Sequence, residues 1–282
     1  MIPARFDYHA PSSVDEALQL LRGAEDAKVL AGGQSLIPVL RLRLAAPATV
    51  IDLGRIDALR GVREDGDAIV IGAMTAHHVV AEHPLVREHA RLLALATETV
   101  ADPQVRHRGT LGGALVHADP AGDLLAPALA LGAQLVVQGS GGTRTVAAED
   151  FFQGLFATAV AEDELLTEIR VPKHTGWGAQ YQKFTRVAQQ WSIVAVAATV
   201  RVDGGTIAEA RVALTNMGST PVRATAVERA LVGSAPTQEA VRAAAALAAE
   251  GTHPPSDTNG DADYRRHLAT VLTTRAVLAA AG

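Results

Sequence analysis

Apolar side chains recur at helical spacing early in the chain. Val14, Ala17, Leu18, Leu20 and Leu21 share one face, Ser12 or Ser13 stands as N-cap, Glu16 completes a capping box with Ser13, and Gly23 supplies the stop. Lys28-Val29-Leu30 reads as a short strand running straight into Ala31-Gly32-Gly33-Gln34-Ser35. Ile37 to Leu44 then reads as a helix closed by Pro47, and Thr49–Leu53 as a second strand. The first fifty residues thus predict an α/β unit with a glycine loop between strand and helix.

Leu59–Arg63 and Ala68–Ile71 flank the turn Glu64-Asp65-Gly66-Asp67, which predicts a hairpin. Thr75 is placed to cap a helix through Val80, and Leu85 to Val100 reads as one longer helix ended by Asp102-Pro103. A helix over Asp123–Leu131, a strand over Gln134–Gln138, the loop Gly139–Gly142 and Arg144-Thr145-Val146 follow. Pro172 to Gly178 reads as a boundary. Beyond it lie strands over Gln180–Arg186, Ile193–Val202 and Ile207–Thr215, the last two joined by Gly204-Gly205. Helices near Ala224–Leu231, Thr237–Glu250 and Asp261–Ala280 complete the pattern, with a polar, turn-rich Gly251–Gly260 before the last. Strands followed by helices predict a separate α+β region from about residue 175.

Composition narrows the classes. The 282 residues are 48% hydrophobic and only 4% aromatic, so the cores are expected to be aliphatic. A net charge of -5 without a long basic run argues against nucleic acid as a partner. The chain has no cysteine, which excludes disulfides, thiolate nucleophiles and iron–sulfur ligation by its own side chains, and fits a reducing cytoplasm. The N-terminus lacks the apolar core of a signal peptide. The longest apolar stretches, Leu124–Val137 and Ile193–Val200, fall short of the roughly 20 residues that span a bilayer, so a soluble protein is expected.

Two segments carry candidate chemistry. Gly32 and Gly33 allow positive φ and close approach of backbone N–H groups to an anion, while Ser35 adds a hydroxyl and Gln34 an amide. Almost eighty residues later, Arg106-His107-Arg108-Gly109-Thr110-Leu111-Gly112-Gly113 again pairs adjacent glycines with a hydroxyl residue. Two such loops suit a pyrophosphate gripped from both sides, whereas the first alone is a weak signal whose default is a tight turn. Neither matches the dinucleotide or Walker patterns. His117, Asp119 and Asp123 form either a metal-binding group or a hydrogen-bonded capping turn. His77 and His78 are adjacent, so their rings diverge on a helix, and surface or capping histidines are expected. Trp191 and Tyr181 are core aromatics or, for the tryptophan, a ring that stacks on a flat cofactor; Lys183 reads as an ordinary strand lysine.

At these residues the chain resembles the FAD-binding medium subunit of molybdenum hydroxylases, the carbon monoxide dehydrogenase and xanthine dehydrogenase family. The matching pieces are residues 29–38, 101–113, 117–123, 164–172 and 181–184, so the resemblance spans essentially the whole chain. It implies an α+β fold: two FAD-binding subdomains of the vanillyl-alcohol-oxidase type, over 1–54 and 55–174, and a C-terminal α+β domain over 175–282. It implies that Ala31, Gly32, Gly33, Gln34 and Ser35, with Thr110, Leu111, Gly112, Gly113 and Ala114, hold FAD. Polar contacts are implied at His117, Asp119 and Asp123, a backbone contact at Leu166, a lysine contact at Lys183, and a residue covering one flavin face at Trp191. The sequence departs from the pattern at three places. Gln34 stands where histidine is common, Ala114 where asparagine usually follows the glycines, and Gln189-Gln190-Trp191 replaces the usual Gly-Asp-Tyr.

The same resemblance implies partners: a large subunit carrying the molybdenum cofactor and a small subunit carrying two [2Fe-2S] clusters, assembled as a dimer of heterotrimers. It implies a cytoplasmic electron-transfer flavoprotein, associated through the complex with the inner face of the membrane. The main alternative is a self-contained FAD-dependent oxidase or dehydrogenase acting on a small organic substrate, although about a hundred residues after Pro172 is little for a substrate domain. A cofactor-free assembly module is the other.

Overall fold

Residues 2–282 are described in a computed structural model. The chain builds three main sheets in succession. The first contains β1 (Asp7–His9), β2 (Ala27–Leu30) and β3 (Thr49–Asp52), with α1 (Val14–Gly23) and α2 (Leu36–Arg41) as connections. Its strands are parallel in the order β1-β3-β2, a geometry that requires crossover segments, and the crossover from β2 to β3 carries the first glycine loop. Ser13 caps α1, its hydroxyl accepting from the Glu16 N–H at 3.2 Å. The Glu16 carboxylate reaches back to the N–H and hydroxyl of Ser12, one residue beyond the expected box. Helix α2 is shorter than its apolar pattern predicts. Arg43 adopts φ +56°, which turns the chain before Pro47 is reached.

The second sheet is antiparallel. It uses β4 (Val62–Asp65), β5 (Ala68–Gly72), β6 (Gln134–Gly139), β7 (Gly142–Ala147) and, returning to its centre, β10 (Leu165–Pro172), in the order β4-β5-β10-β6-β7. Six helices lie between its hairpins: α3 (His77–Glu82), α4 (Pro84–His89), α5 (Arg91–Glu98), α6 (Pro103–Arg106), α7 (Leu111–His117) and α8 (Leu125–Ala130). Helix α9 (Ala148–Phe151) and the small ladder of β8 (Phe152–Gly154) and β9 (Ala157–Thr158) precede β10. The single helix expected over Leu85–Val100 is two. The His89 carbonyl accepts from the His174 N–H at 2.8 Å, and Ala90 leaves helical geometry at φ -139°. A tertiary hydrogen bond has replaced a helical one. Thr75 is not a cap either. Its hydroxyl accepts from the Gly61 N–H at 3.0 Å and donates to the Gly61 carbonyl at 3.1 Å, and Ala76 precedes α3 instead. Asp102-Pro103 starts a helix rather than ending one, since the Asp102 carboxylate caps α6 through the Val105 N–H at 2.8 Å.

The third sheet is a meander of β11 (Gly178–Phe184), β12 (Val194–Asp203), β13 (Thr206–Thr215) and β14 (Val222–Arg223). Gly204 and Gly205 both take positive φ, as a two-residue hairpin turn demands. Helices α10 (Thr225–Leu231), α11 (Gln238–Ala245) and α12 (Ala262–Ala281) follow. Strand β12 is buried on both faces, and side-chain size separates them. Val194, Val196, Ala198 and Val200 join the core shared with α10–α12, whereas Ala195 and Ala197 join the core of the second sheet and its helices. Small residues on that side let the two regions approach closely. Among the described residues no helix is long and apolar enough to cross a membrane.

Gly178 is required where α12 packs on β11. A Cβ there would overlap the Ala280 carbonyl oxygen and lie 2.8 Å from its carbon, both backbone atoms. Gly178→Ala is expected to lower stability by about 3 kcal/mol, read as a lower urea midpoint at unchanged slope; an unaltered midpoint would mean that α12 shifts freely.

Candidate functional site

The two glycine loops meet in space. A Cβ on Gly32 would overlap the Arg108 carbonyl oxygen and lie 2.6 Å from the Gly109 Cα, and a Cβ on Gly113 would lie 3.2 Å from the Ala31 side chain. Loop 31–35 of the first region therefore abuts loop 108–113 of the second. Gly33 is glycine for a different reason, because it sits at φ +76°.

The loops use their backbones differently. Among the described residues, the N–H groups of Gly32, Gly33, Gln34 and Ser35 donate to no other atom of the chain, and the Ser35 hydroxyl makes no capping bond to α2. The Gln34 amide folds back to donate to the Gly32 carbonyl at 3.0 Å, which fixes the loop rather than extending from it. In the second loop the N–H groups of Leu111 to Ala114 are already committed. Leu111 donates to the Thr75 carbonyl at 3.0 Å, Gly112 to the Ala73 carbonyl at 2.8 Å, Gly113 to the Thr110 hydroxyl at 3.2 Å, and Ala114 to the Thr110 carbonyl at 3.0 Å. A Cβ on Gly112 would lie 2.6 Å from that of Ala73, so this glycine serves close packing. Leu111 is fully buried, while Ala114 is half-buried against the same core. The first loop offers donors, and the second offers a fitted wall.

That wall has a buried support absent from the sequence reading. His77 is neither surface nor cap: it is 4% exposed and lies beneath Gly109, whose added Cβ would meet its ring at 2.7 Å. Its backbone N–H donates to the Gly109 carbonyl at 2.9 Å, and its Nδ1 has no partner. Burial, with the nearby Arg106 charge, pushes its pKa down to about 4. Unfolded imidazole titrates near 6.5. Between those values the unfolded chain takes the proton first, so stability falls as pH drops through that window and is flat for this group above it. From pH 7.5 to 5 the loss is about 2 kcal/mol. In His77→Gln this part of the loss is expected to vanish from denaturation curves taken across that range; an equal loss in both proteins would place the titration elsewhere. His78 stacks on His107, with ring centroids 4.2 Å apart.

The segment 117–123 leads to a second cluster. The Asp119 carboxylate accepts from the Ala121 N–H at 2.9 Å, and the His117 ring lies 5.1 Å from that of Phe156. Asp123 is the hub. One carboxylate oxygen accepts from the Tyr181 hydroxyl at 2.9 Å and the Ser192 hydroxyl at 2.8 Å, and the other from the Lys183 ammonium at 2.7 Å. Lys183 also donates to the Thr99 carbonyl at 3.1 Å. Burial pushes the Asp123 carboxyl up, against the pull of the Lys183 charge and these donors. Burial and the Asp123 charge push the Tyr181 hydroxyl well above its ordinary range. The structure thus brings Asp123 and Lys183 together and adds Tyr181 and Ser192; a lone serine carries no signal that would have singled it out. Leu166 lies buried on β10, just before a bulge at Thr167 whose carbonyl accepts from the Ala73 N–H at 2.9 Å. Since Gly112 bonds to Ala73, this bulge connects Leu166 to the second loop.

Trp191 lies two residues after the left-handed Gln189 and is 56% exposed, while Ser192 beside it is buried. An exposed indole next to a pinned residue is a surface feature rather than core.

Residues 4–174 match the family described as the FAD-binding domain in molybdopterin dehydrogenase, and residues 179–280 the CO dehydrogenase flavoprotein C-terminal domain. The chain is 45% identical to the carbon monoxide dehydrogenase medium chain of Hydrogenophaga pseudoflava, over 99% of this chain and 98% of that one. It is 42% identical to the medium chain of Afipia carboxidovorans, over 98% and 97%. A solved structure of the Hydrogenophaga pseudoflava carbon monoxide dehydrogenase, in a form lacking the Mo-pyranopterin moiety, superposes with a TM-score of 0.96 at 47% identity, covering 99% of this chain and 98% of that one. With paired glycine loops in contact and both family matches spanning nearly its full length, the chain belongs to the FAD-binding medium subunits of the carbon monoxide dehydrogenase-type molybdenum hydroxylases.

Proposed function

We propose that the chain holds FAD where the two loops meet and relays electrons from [2Fe-2S] clusters of a partner chain to an external acceptor. The observation that carries this reading is the row of four uncommitted N–H groups, Gly32 to Ser35, set against a wall that tolerates no Cβ at Gly32. That arrangement suits the diphosphate of a dinucleotide. FAD supplies, when bound, redox chemistry that couples one- and two-electron donors.

The chain's own residues do the rest. Loop 31–35 binds the anion, with Ser35 as an added donor. Thr110 holds the second loop in shape through its capping bond, and Leu111, Gly112, Gly113 and Ala114 give it a close-fitting surface. Lys183, held by Asp123 and the Thr99 carbonyl, offers its ammonium to the cofactor as a hydrogen-bond donor. Leu166, His117 and Asp119 complete the binding set, and Trp191 covers one flavin face. We assign residues 1–54 and 55–174 to the two cofactor-binding subdomains and 175–282 to the C-terminal domain, a division supported by the three successive sheets.

The working unit on this reading is a complex with a large molybdenum-cofactor subunit and a small [2Fe-2S] subunit, as a dimer of heterotrimers in the cytoplasm, at the inner face of the membrane through the complex. Substrate oxidation takes place on the partner, so no general base is needed here. Affinity purification of the tagged chain from its own cell tests this. Molybdenum and iron should co-purify with two further chains and FAD. A chain recovered alone, whose bound flavin is reduced directly by a small organic substrate, would instead make it a self-contained dehydrogenase.

A further inference from the structure

An exposed tryptophan on a loop is ordinarily mobile, yet the loop at 185–191 is tied down at Arg186 and Gln190. The Gln190 side chain spans it, its amide oxygen accepting from the Arg186 N–H at 2.9 Å. Its amide NH2 donates at 2.9 Å to the side-chain oxygen of Asn259, and the Arg186 guanidinium donates to the same oxygen at 2.8 Å. Asn259 belongs to the turn-rich stretch before α12 and is itself fixed, its N–H donating to the Asp257 carboxylate at 2.7 Å. That carboxylate also pairs at 2.8 Å with Arg265, a fully buried arginine whose guanidinium donates to the Ile193 carbonyl. Asn216 closes the base of the loop, its amide donating to the Ser192 carbonyl at 2.8 Å while its N–H donates to the Pro120 carbonyl at 2.9 Å.

We propose that the segment 257–260 is a strap that positions the 185–191 loop, and that Asn259 is its key positioning residue, setting the place of Trp191 over the cofactor. This rests on the reading of Trp191 as the flavin-face residue. The chemistry of the contact is specific. Two donors converge on one oxygen, and neither contact uses the Asn259 amide NH2. Aspartate preserves that oxygen and adds attraction to Arg186, so it substitutes for asparagine, whereas alanine releases both donors at once.

The test uses the assembled, FAD-loaded protein in three forms beside wild type: Asn259→Ala, Asn259→Asp and Trp191→Ala. Trypsin cleavage after Arg186 reports the loop without reference to activity. It should be at least tenfold faster in Asn259→Ala, with the global unfolding midpoint and FAD content kept, and should return to the wild-type rate in Asn259→Asp. Reoxidation of the dithionite-reduced protein by ferricenium should change in Asn259→Ala in the same direction as in Trp191→Ala, and recover in Asn259→Asp. Unchanged cleavage in Asn259→Ala overturns the strap, as does faster cleavage with a wild-type reoxidation rate when Trp191→Ala alters that rate. An unaltered rate in Trp191→Ala removes the flavin-face reading, and cleavage then decides the strap by itself.

Discussion

Gly32→Ala is expected to weaken FAD binding by the assembled protein while leaving it folded. The new methyl would overlap the Arg108 carbonyl oxygen and crowd the Gly109 Cα, both backbone atoms that no rotamer change can move aside. The two loops must separate, and the row of N–H groups from Gly32 to Ser35 is then no longer faced by its wall. Overpacking by one methyl costs about 1–3 kcal/mol, which taken wholly from binding is a roughly 5- to 150-fold weaker affinity. FAD titration into the deflavinated protein checks this, with the urea midpoint measured alongside. Gly33→Val is expected to act similarly through φ +76°, a conformation that a β-branched residue resists. Full retention of FAD by Gly32→Ala would show that the loops can part without consequence.

Asp123→Ala is expected to have the largest effect on stability. It removes the acceptor for Tyr181, Ser192 and Lys183 together and leaves a lysine side chain, 12% exposed, with only the Thr99 carbonyl. Breaking a buried pair by deleting one partner costs about 3–5 kcal/mol. The contacts join α5, the 118–124 turn, β11 and the base of the Trp191 loop, so the C-terminal domain should loosen from the rest. Hydrogen exchange should show the loss first at Tyr181 and Ser192. Asp123→Asn keeps an acceptor and should lose less. A loss under about 1 kcal/mol in the alanine form would mean that water replaces the carboxylate without penalty.

Much of the architecture was legible because it rests on local rules. The hairpin at Gly204-Gly205, the cap at Ser13 and the strand–glycine loop–helix unit follow from positive φ, side-chain capping and hydrophobic periodicity. Two of the misreadings share one cause, tertiary hydrogen bonds that override local preference. His174 takes the His89 carbonyl and splits a helix, and Gly61 engages Thr75 in place of a cap. The glycine loops were visible as a pair, but not their division of labour. Only the structure shows free N–H groups at Gly32 to Ser35 and committed ones at Leu111 to Ala114. The network around Asp123 escaped for a related reason. Its members are separated by up to 69 residues, and Ser192 gives no sign of its partner until the chain is folded. The strap at Asn259, 69 residues beyond Gln190, was hidden in the same way in a segment that reads as a plain polar turn.

Family membership and loop geometry make one claim central: the diphosphate of FAD lies on the Gly32–Ser35 backbone, clamped by the 108–113 wall. A crystal structure of the assembled protein with FAD bound tests it most directly. Diphosphate oxygens are expected within hydrogen-bond distance, about 2.7–3.2 Å, of two or more of the N–H groups of Gly32, Gly33, Gln34 and Ser35. FAD bound with its diphosphate away from this loop, and those N–H groups turned to solvent, would contradict it.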